Sequence, residues 1–142
     1  MPIELFFDGG CYGNPNGIAT YGYAIYLDGK QLHAEGGIVG EGAGMTNNVA
    51  EYTALLKALE WLNEHHLTGK VTVNGDSALV IKQLTGEFKA RSATALSCIP
   101  RVRQAAKGKE IEYRWIPREQ NTQADALTEQ AYRTYRAGKR RM

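Results

Sequence analysis

Apolar and polar positions along the chain fall into segments of two periods. Residues 3–7, IELFF, form a short apolar run of strand length. YGYAIYL, residues 21–27, is rich in β-formers and reads as a second strand. Asp28 followed by Gly29 is a hairpin turn signal, so KQLHAEGGIV returns as a third strand. The glycine-rich GEGAG leads into TNNVAEYTALLKALEWLNEHH, where Tyr52, Leu55, Leu56, Leu59 and Leu62 recur at helical spacing. Thr46, Asn47 and Asn48 are each suited to cap its start, and Gly69 closes the helical region. KVTVNGD, residues 70–76, is a fourth strand, and SALVIKQLTG a short helix ended by Gly86. A further helix is expected over residues 93–106, with Pro100 either kinking it or marking its start. EIEYRWIP is the last strand, and NTQADALTEQAYRTYR the last helix, with Asn121 or Thr122 as its cap.

The order is therefore β-β-β-α-β-α-α-β-α. A three-strand meander followed by alternating strands and helices predicts an α/β fold: a mixed five-stranded sheet flanked by helices. The 142 residues suit a single domain over the whole chain, with a basic tail from about residue 137. No repeat, low-complexity run or internal linker interrupts it.

Composition narrows the function classes. A hydrophobic fraction of 43% and a charged fraction of 23% are those of an ordinary globular protein. No basic segment followed by an apolar one opens the chain, and no apolar run is long enough to cross a membrane. The expectation is a soluble, cytoplasmic monomer with no membrane partner. Cys11 and Cys98 form no metal or redox motif and are expected to be reduced thiols. The net charge is +2, but Arg133, Arg136, Lys139, Arg140 and Arg141 follow one another with no acid among them. Without this cluster the rest of the chain would be net negative. A basic end of this kind either contacts phosphate or is simply solvated.

Four acids stand apart. Asp8 follows the first apolar run in FFDGGCYGNP, and Asp76 follows the fourth strand. Glu51 and Asp125 fall within a turn or so of the starts of two predicted helices. Singly, each has a plain reading: Asp is a turn residue, and acids favour helix N-termini. Three of the four aspartates in the chain nevertheless sit at element boundaries on one predicted face, while Asp28 is accounted for by its hairpin. Sites in open α/β sheets form outside the carboxyl ends of the parallel strands. Carboxylates crowded there would need protons or cations to offset their repulsion, and hard divalent cations with oxygen ligands fit best.

Other motifs fail. Gly40, Gly42 and Gly44 precede a helix, but Met45 breaks the dinucleotide fingerprint, and no Lys-Ser/Thr follows at phosphate-loop spacing. His65 and His66 end a helix, where cations are favoured. Ser77 reads as a helix cap, and Trp61 and Trp115 as core or boundary residues.

FFDGGCYGNP, TNNVAEYTALLKALE, GDSALVIKQLTGEFK and WIPREQNTQADALTEQA, in this order, resemble the four motif blocks of type 1 ribonuclease H. The resemblance spans nearly the whole chain. It implies a ribonuclease H-like fold and a metal-dependent endonuclease that cleaves the RNA strand of RNA/DNA hybrids, leaving 5′-phosphate and 3′-hydroxyl ends. It implies that Asp8, Glu51, Asp76 and Asp125 hold Mg2+ or Mn2+, two ions in all, and that Glu51 also contacts a ribose 2′-hydroxyl. Cys11, Asn14, Thr46 and Asn47 match positions that approach the hybrid, Thr46 the one that grips a DNA phosphate. Double-stranded RNA is a second candidate substrate, and a catalytically weak nucleic-acid-binding module is the alternative reading. The chain departs from the family pattern twice. TGEFKARSATALSCIPRVRQAAKGKE is too short for the basic helical insertion of many members, which leaves Lys89, Arg91 and the tail as other sources of affinity. PREQNTQAD lacks the histidine that usually precedes the last aspartate, leaving Arg118 or Glu119 as candidates for its place.

Overall fold

A computed structural model describes residues 2–13 and 16–140, the last of these by its backbone alone. The strands are β1 (Ile3–Tyr12), β2 (Ile18–Leu27), β3 (Lys30–Glu41), β4 (Gly69–Gly75) and β5 (Lys109–Trp115). The helices are α1 (Asn47–Glu64), α2 (Ala78–Thr85), α3 (Ala93–Ala105) and α4 (Thr122–Arg140), with a 3-10 turn over Arg118–Gln120 before α4. The strands lie in the order β3-β2-β1-β4-β5. β1 pairs antiparallel with β2 and parallel with β4, and β4 pairs parallel with β5. This is the mixed five-stranded α/β sheet expected.

Odd-numbered residues of β1 and β2 point to one face. Leu5, Phe7 and Ile25 are fully buried there with Tyr52, Leu55, Leu59 and Leu62 of α1 and with Val71 and Val73 of β4. Leu56 is only half-buried, whereas Ala50, Ala54 and Ala58 are fully buried. A stripe of small side chains lets α1 lie close to the sheet. α4 covers β2, β3 and β1 on the opposite face. Asp28 and Gly29 both take positive φ, 52° and 79°, as a two-residue hairpin turn requires.

Several boundaries differ from expectation. β1 runs five residues past Phe7, because its antiparallel ladder with β2 continues to Tyr12↔Ile18. Its parallel ladder with β4 does stop at Phe7↔Gly75, so Asp8 follows the end of that pairing. Thr46 caps α1: its Oγ1 accepts the Val49 N–H at 3.2 Å. Ser77 caps α2 in the same way, and Gly86 ends it in the left-handed conformation. α3 starts at the Ser92 cap and runs through Pro100. α4 continues four residues beyond residue 136, so the basic segment from residue 137 is helical as far as Arg140. Lys139 Nζ reaches both Glu41 carboxylate oxygens at 2.6 Å, which fastens this end of α4 to the end of β3.

Candidate active site

The parallel ladders put Asp8 and Asp76 side by side, each one residue past the Phe7↔Gly75 pair. Glu51 comes from the second turn of α1. Its approach depends on Gly9, where a Cβ would lie 2.3 Å from the Ala50 carbonyl carbon. Ligand oxygens of Asp8, Glu51 and Asp76 lie within 4.8 Å of one another. Asp125, in the first turn of α4, lines the same groove but lies outside this group of three. The Asp8 carboxyl is near enough to Asp125 and Glu51 for the first to favour its proton and the second to oppose it. Asp8 and Glu51 are buried, 7% and 6% exposed, whereas Asp76 and Asp125 are half-exposed.

Burial and crowding govern the charges. Desolvation, the Asp76 charge and contact with Asp125 push Asp8 up to about 7. Desolvation and the charges of Asp8 and Asp76 push Glu51 well above the usual carboxylate range, against a hydrogen bond from the Gly9 N–H. Burial also raises Asp76, while Asn121 and Arg118 oppose that rise. Without a cation, burial and crowding therefore favour protons on Asp8 and Glu51. Glu51 Oε2 is buried with no hydrogen-bond partner among the described residues. Converging hard oxygen donors, one of them a buried acceptor left unsatisfied, fit a divalent cation such as Mg2+ or Mn2+.

The carboxylates line a groove of about 490 Å3 together with Gly10, Cys11, Tyr12, Asn47, Ser77, Arg118 and Thr128. A larger cavity of about 630 Å3 lies at the other end of β1, between Pro2, Phe6, Tyr26 and the start of α4, away from this cluster. Cys11 and Asn47 sit together at the groove rim, where the Cys11 N–H donates to Asn47 Oδ1 at 2.8 Å. Thr46 stands next to them as the cap of α1. Asn14 lies outside the described residues. Arg118 Nη2 is 3.7 Å from Asp125 Oδ1 on a side chain that is 79% exposed, whereas Glu119 is not among the groove residues. Cys11 and Cys98 are both free, half-buried thiols.

One site residue has a role that the sequence reading did not assign. Asn121, expected as a cap, is almost fully buried and points its amide between two strands. Its Nδ2 donates to the Phe7 carbonyl at 2.9 Å and to Asp76 Oδ2 at 3.2 Å. A polar residue before a helix reads as a cap, and only the partner strands, far away in sequence, reveal the other use.

Known proteins share this arrangement. A profile of the reverse transcriptase-like family matches residues 6–131. The crystal structure of ribonuclease H1 from Halobacterium salinarum superposes with a TM-score of 0.86 at 33% identity, covering 94% of this chain and 99% of that one. The chain belongs to the type 1 ribonuclease H family. A second type 1 ribonuclease H, isolated from compost and solved in complex with an RNA/DNA hybrid, superposes with a TM-score of 0.83 at 34% identity, covering 91% and 95% of the two chains. In curated sequences the chain is 35% identical to the ribonuclease HI of H. salinarum over 91% of its own length, and 34% identical to a bifunctional protein of Mycobacterium tuberculosis over 92%. It spans 63% of the former and 35% of the latter. One helix, α3, fills the interval between α2 and β5. No helix among the described residues is long and apolar enough to cross a membrane.

Proposed function

We propose that this chain is a metal-dependent endoribonuclease that hydrolyses the RNA strand of RNA/DNA hybrids, leaving 5′-phosphate and 3′-hydroxyl ends. One observation carries the reading: the ligand oxygens of Asp8, Glu51 and Asp76 converge within 4.8 Å in an open groove at the carboxyl ends of parallel strands. The related ribonucleases H named above support it.

Asp8, Glu51, Asp76 and Asp125 would hold two divalent cations, Mg2+ or Mn2+. Bound there, such ions generate a nucleophile from water and stabilise the leaving oxygen of a phosphodiester. The protein's own groups prepare that chemistry. Asp8 brings a ligand oxygen within 4.8 Å of those of Glu51 and Asp76. Asn121 fixes the Asp76 carboxylate, and the nearby Gly9 N–H favours the charged form of Glu51. Arg118 carries the positive charge nearest Asp125 and takes the place of the absent histidine at the open side of the groove. Cys11, Asn14, Thr46 and Asn47 are assigned to the substrate, with Thr46 and the start of α1 receiving a DNA phosphate, as a helix N-terminus can. Glu51, the deepest acid, is assigned the ribose 2′-hydroxyl, the group that separates RNA from DNA. These contacts are to sugar and phosphate, so cutting should be largely independent of base sequence.

The test is cleavage of matched hybrid, double-stranded RNA and double-stranded DNA, each with EDTA, Mg2+ or Mn2+, followed by analysis of the product ends. Metal-dependent cuts confined to the RNA of the hybrid are expected. Cutting of double-stranded RNA as well would broaden the substrate class, and no cutting of any substrate would leave a binding module.

A further inference from the structure

Beyond the carboxylates, the groove wall continues through aromatic side chains. Tyr12 lines the groove beside Thr128, and its ring stacks on Tyr132 of α4 with centroids 3.8 Å apart and planes 6° from parallel. The Tyr132 hydroxyl accepts a 2.8 Å hydrogen bond from Arg136 Nη1, and the guanidinium carbon lies 5.9 Å from the ring centre. Asp125, Thr128, Tyr132 and Arg136 follow one another in steps of three and four along one face of the helix. At 1.5 Å per residue, Arg136 stands about 16 Å from Asp125 along the axis.

The neighbouring cations are already engaged. Arg133 pairs with Glu129 at 2.5 Å, and Lys139 with Glu41 at 2.6 Å. Arg136 is exposed and has no carboxylate partner among the described residues. Its guanidinium is nonetheless held by a ring and a hydroxyl, so little further freedom is lost when it meets an anion. The carboxylate groove repels the phosphates it must admit, and a fixed cation outside it offsets that repulsion.

We propose that Tyr12, Tyr132 and Arg136 form a ledge that holds one backbone phosphate of a nucleic-acid strand, a few nucleotides from the segment lying over the carboxylates. This rests on the hydrolase reading only for the direction in which the strand runs. The ligand is the polyanionic backbone itself, and no base need be read.

The test is binding of a labelled RNA/DNA hybrid in EDTA, where no turnover occurs, across a series of salt concentrations. Arg136→Gln should flatten the slope of log affinity against log salt by about 0.7–0.9, the value for one phosphate contact. Tyr132→Leu should flatten it in the same direction, because the guanidinium loses its support. Lys30→Gln removes an equal charge at the opposite end of the sheet and should leave the slope unchanged. With metal present, Arg136→Gln should raise KM and leave kcat unaltered. A wild-type slope for Arg136→Gln, or an equal flattening by Lys30→Gln, would overturn the ledge. A protein that shows the Arg136-dependent slope but cuts nothing keeps the ledge and loses the hydrolase reading. Cleavage with an unchanged slope does the reverse.

Discussion

The Asn121 amide ties Asp76 to Phe7: one nitrogen donates to the Asp76 carboxylate at 3.2 Å and to the Phe7 carbonyl at 2.9 Å. The start of α4 is thereby fixed to the strand ends that carry Asp8 and Asp76. Asn121→Ala should lower stability by about 1–3 kcal/mol, since it leaves a buried carbonyl unpaired. It should also lower kcat roughly 10–100-fold, the usual cost of losing a group that orients a metal ligand. Thermal unfolding and single-turnover cleavage read the two effects separately, and a wild-type kcat would rule out the orienting role.

Protonation of the cluster gives the metal-free protein a distinctive dependence on pH. Asp8 is raised to about 7 in the fold against an ordinary 3.8, so the folded state holds a proton that the unfolded chain releases. This contribution is fully present below pH 3.8 and is lost as pH rises through about 7. Glu51 shifts in the same direction. In EDTA, Asp8→Asn should therefore melt several degrees above wild type at pH 8, with the gap shrinking towards pH 4. Calorimetry at the two pH values checks this, and an equal gap at both would contradict it.

Asp8→Asn and Asp76→Asn should each abolish cleavage with the fold intact. Both changes keep shape and remove a charged oxygen donor from the cluster. Wild-type protein in EDTA should be inactive and recover on addition of Mg2+ or Mn2+. Near-normal rates in both variants, or full activity in EDTA, would refute the metal reading.

Gly22 and Gly138 predict opposite signs for one substitution. A Cβ on Gly22 would lie 2.4 Å from the Ala124 carbonyl oxygen, so Gly22→Ala must push α4, and Asp125 with it, away from the sheet. It should cost about 1–3 kcal/mol and reduce cleavage. Nothing lies within 4 Å of a Cβ on Gly138, which is exposed within α4. There, Gly138→Ala should raise stability by up to about 1 kcal/mol without affecting cleavage. Urea titration of both variants checks the pair of signs.

The order of elements was legible because each segment carries its own composition, period or punctuation: β-formers in YGYAIYL, helical spacing from Tyr52 to Leu62, and glycine at residues 29 and 86. The acids were legible as a group because parallel strands bring their carboxyl ends together. What stayed hidden depends on contacts across the fold. Gly9 and Gly22 look like ordinary strand glycines until the helices packed on them are known. The continuation of β1 to Tyr12 depends on β2 as its partner, because its own sequence turns glycine-rich at Gly9. Among Thr46, Asn47 and Asn48, the residue type did not choose the cap, and the local backbone did.

The two ladders of β1 also differ in how far apart in sequence their partners lie. Its hairpin with β2 closes over a short loop, whereas its pairing with β4 joins Phe7 to Gly75 across a long stretch of chain. Contacts of that separation form slowly, because a large loop must close before they are rewarded. Asp8 and Asp76 come together only with that second ladder, and their repulsion opposes its closing. Regain of cleavage during refolding should accordingly lag behind β-hairpin formation, and divalent cation should speed the final phase. Stopped-flow refolding with and without Mg2+, followed by far-UV signal and by cleavage, measures both. Simultaneous recovery, indifferent to the ion, would mean that the strand ends meet before the carboxylates begin to repel.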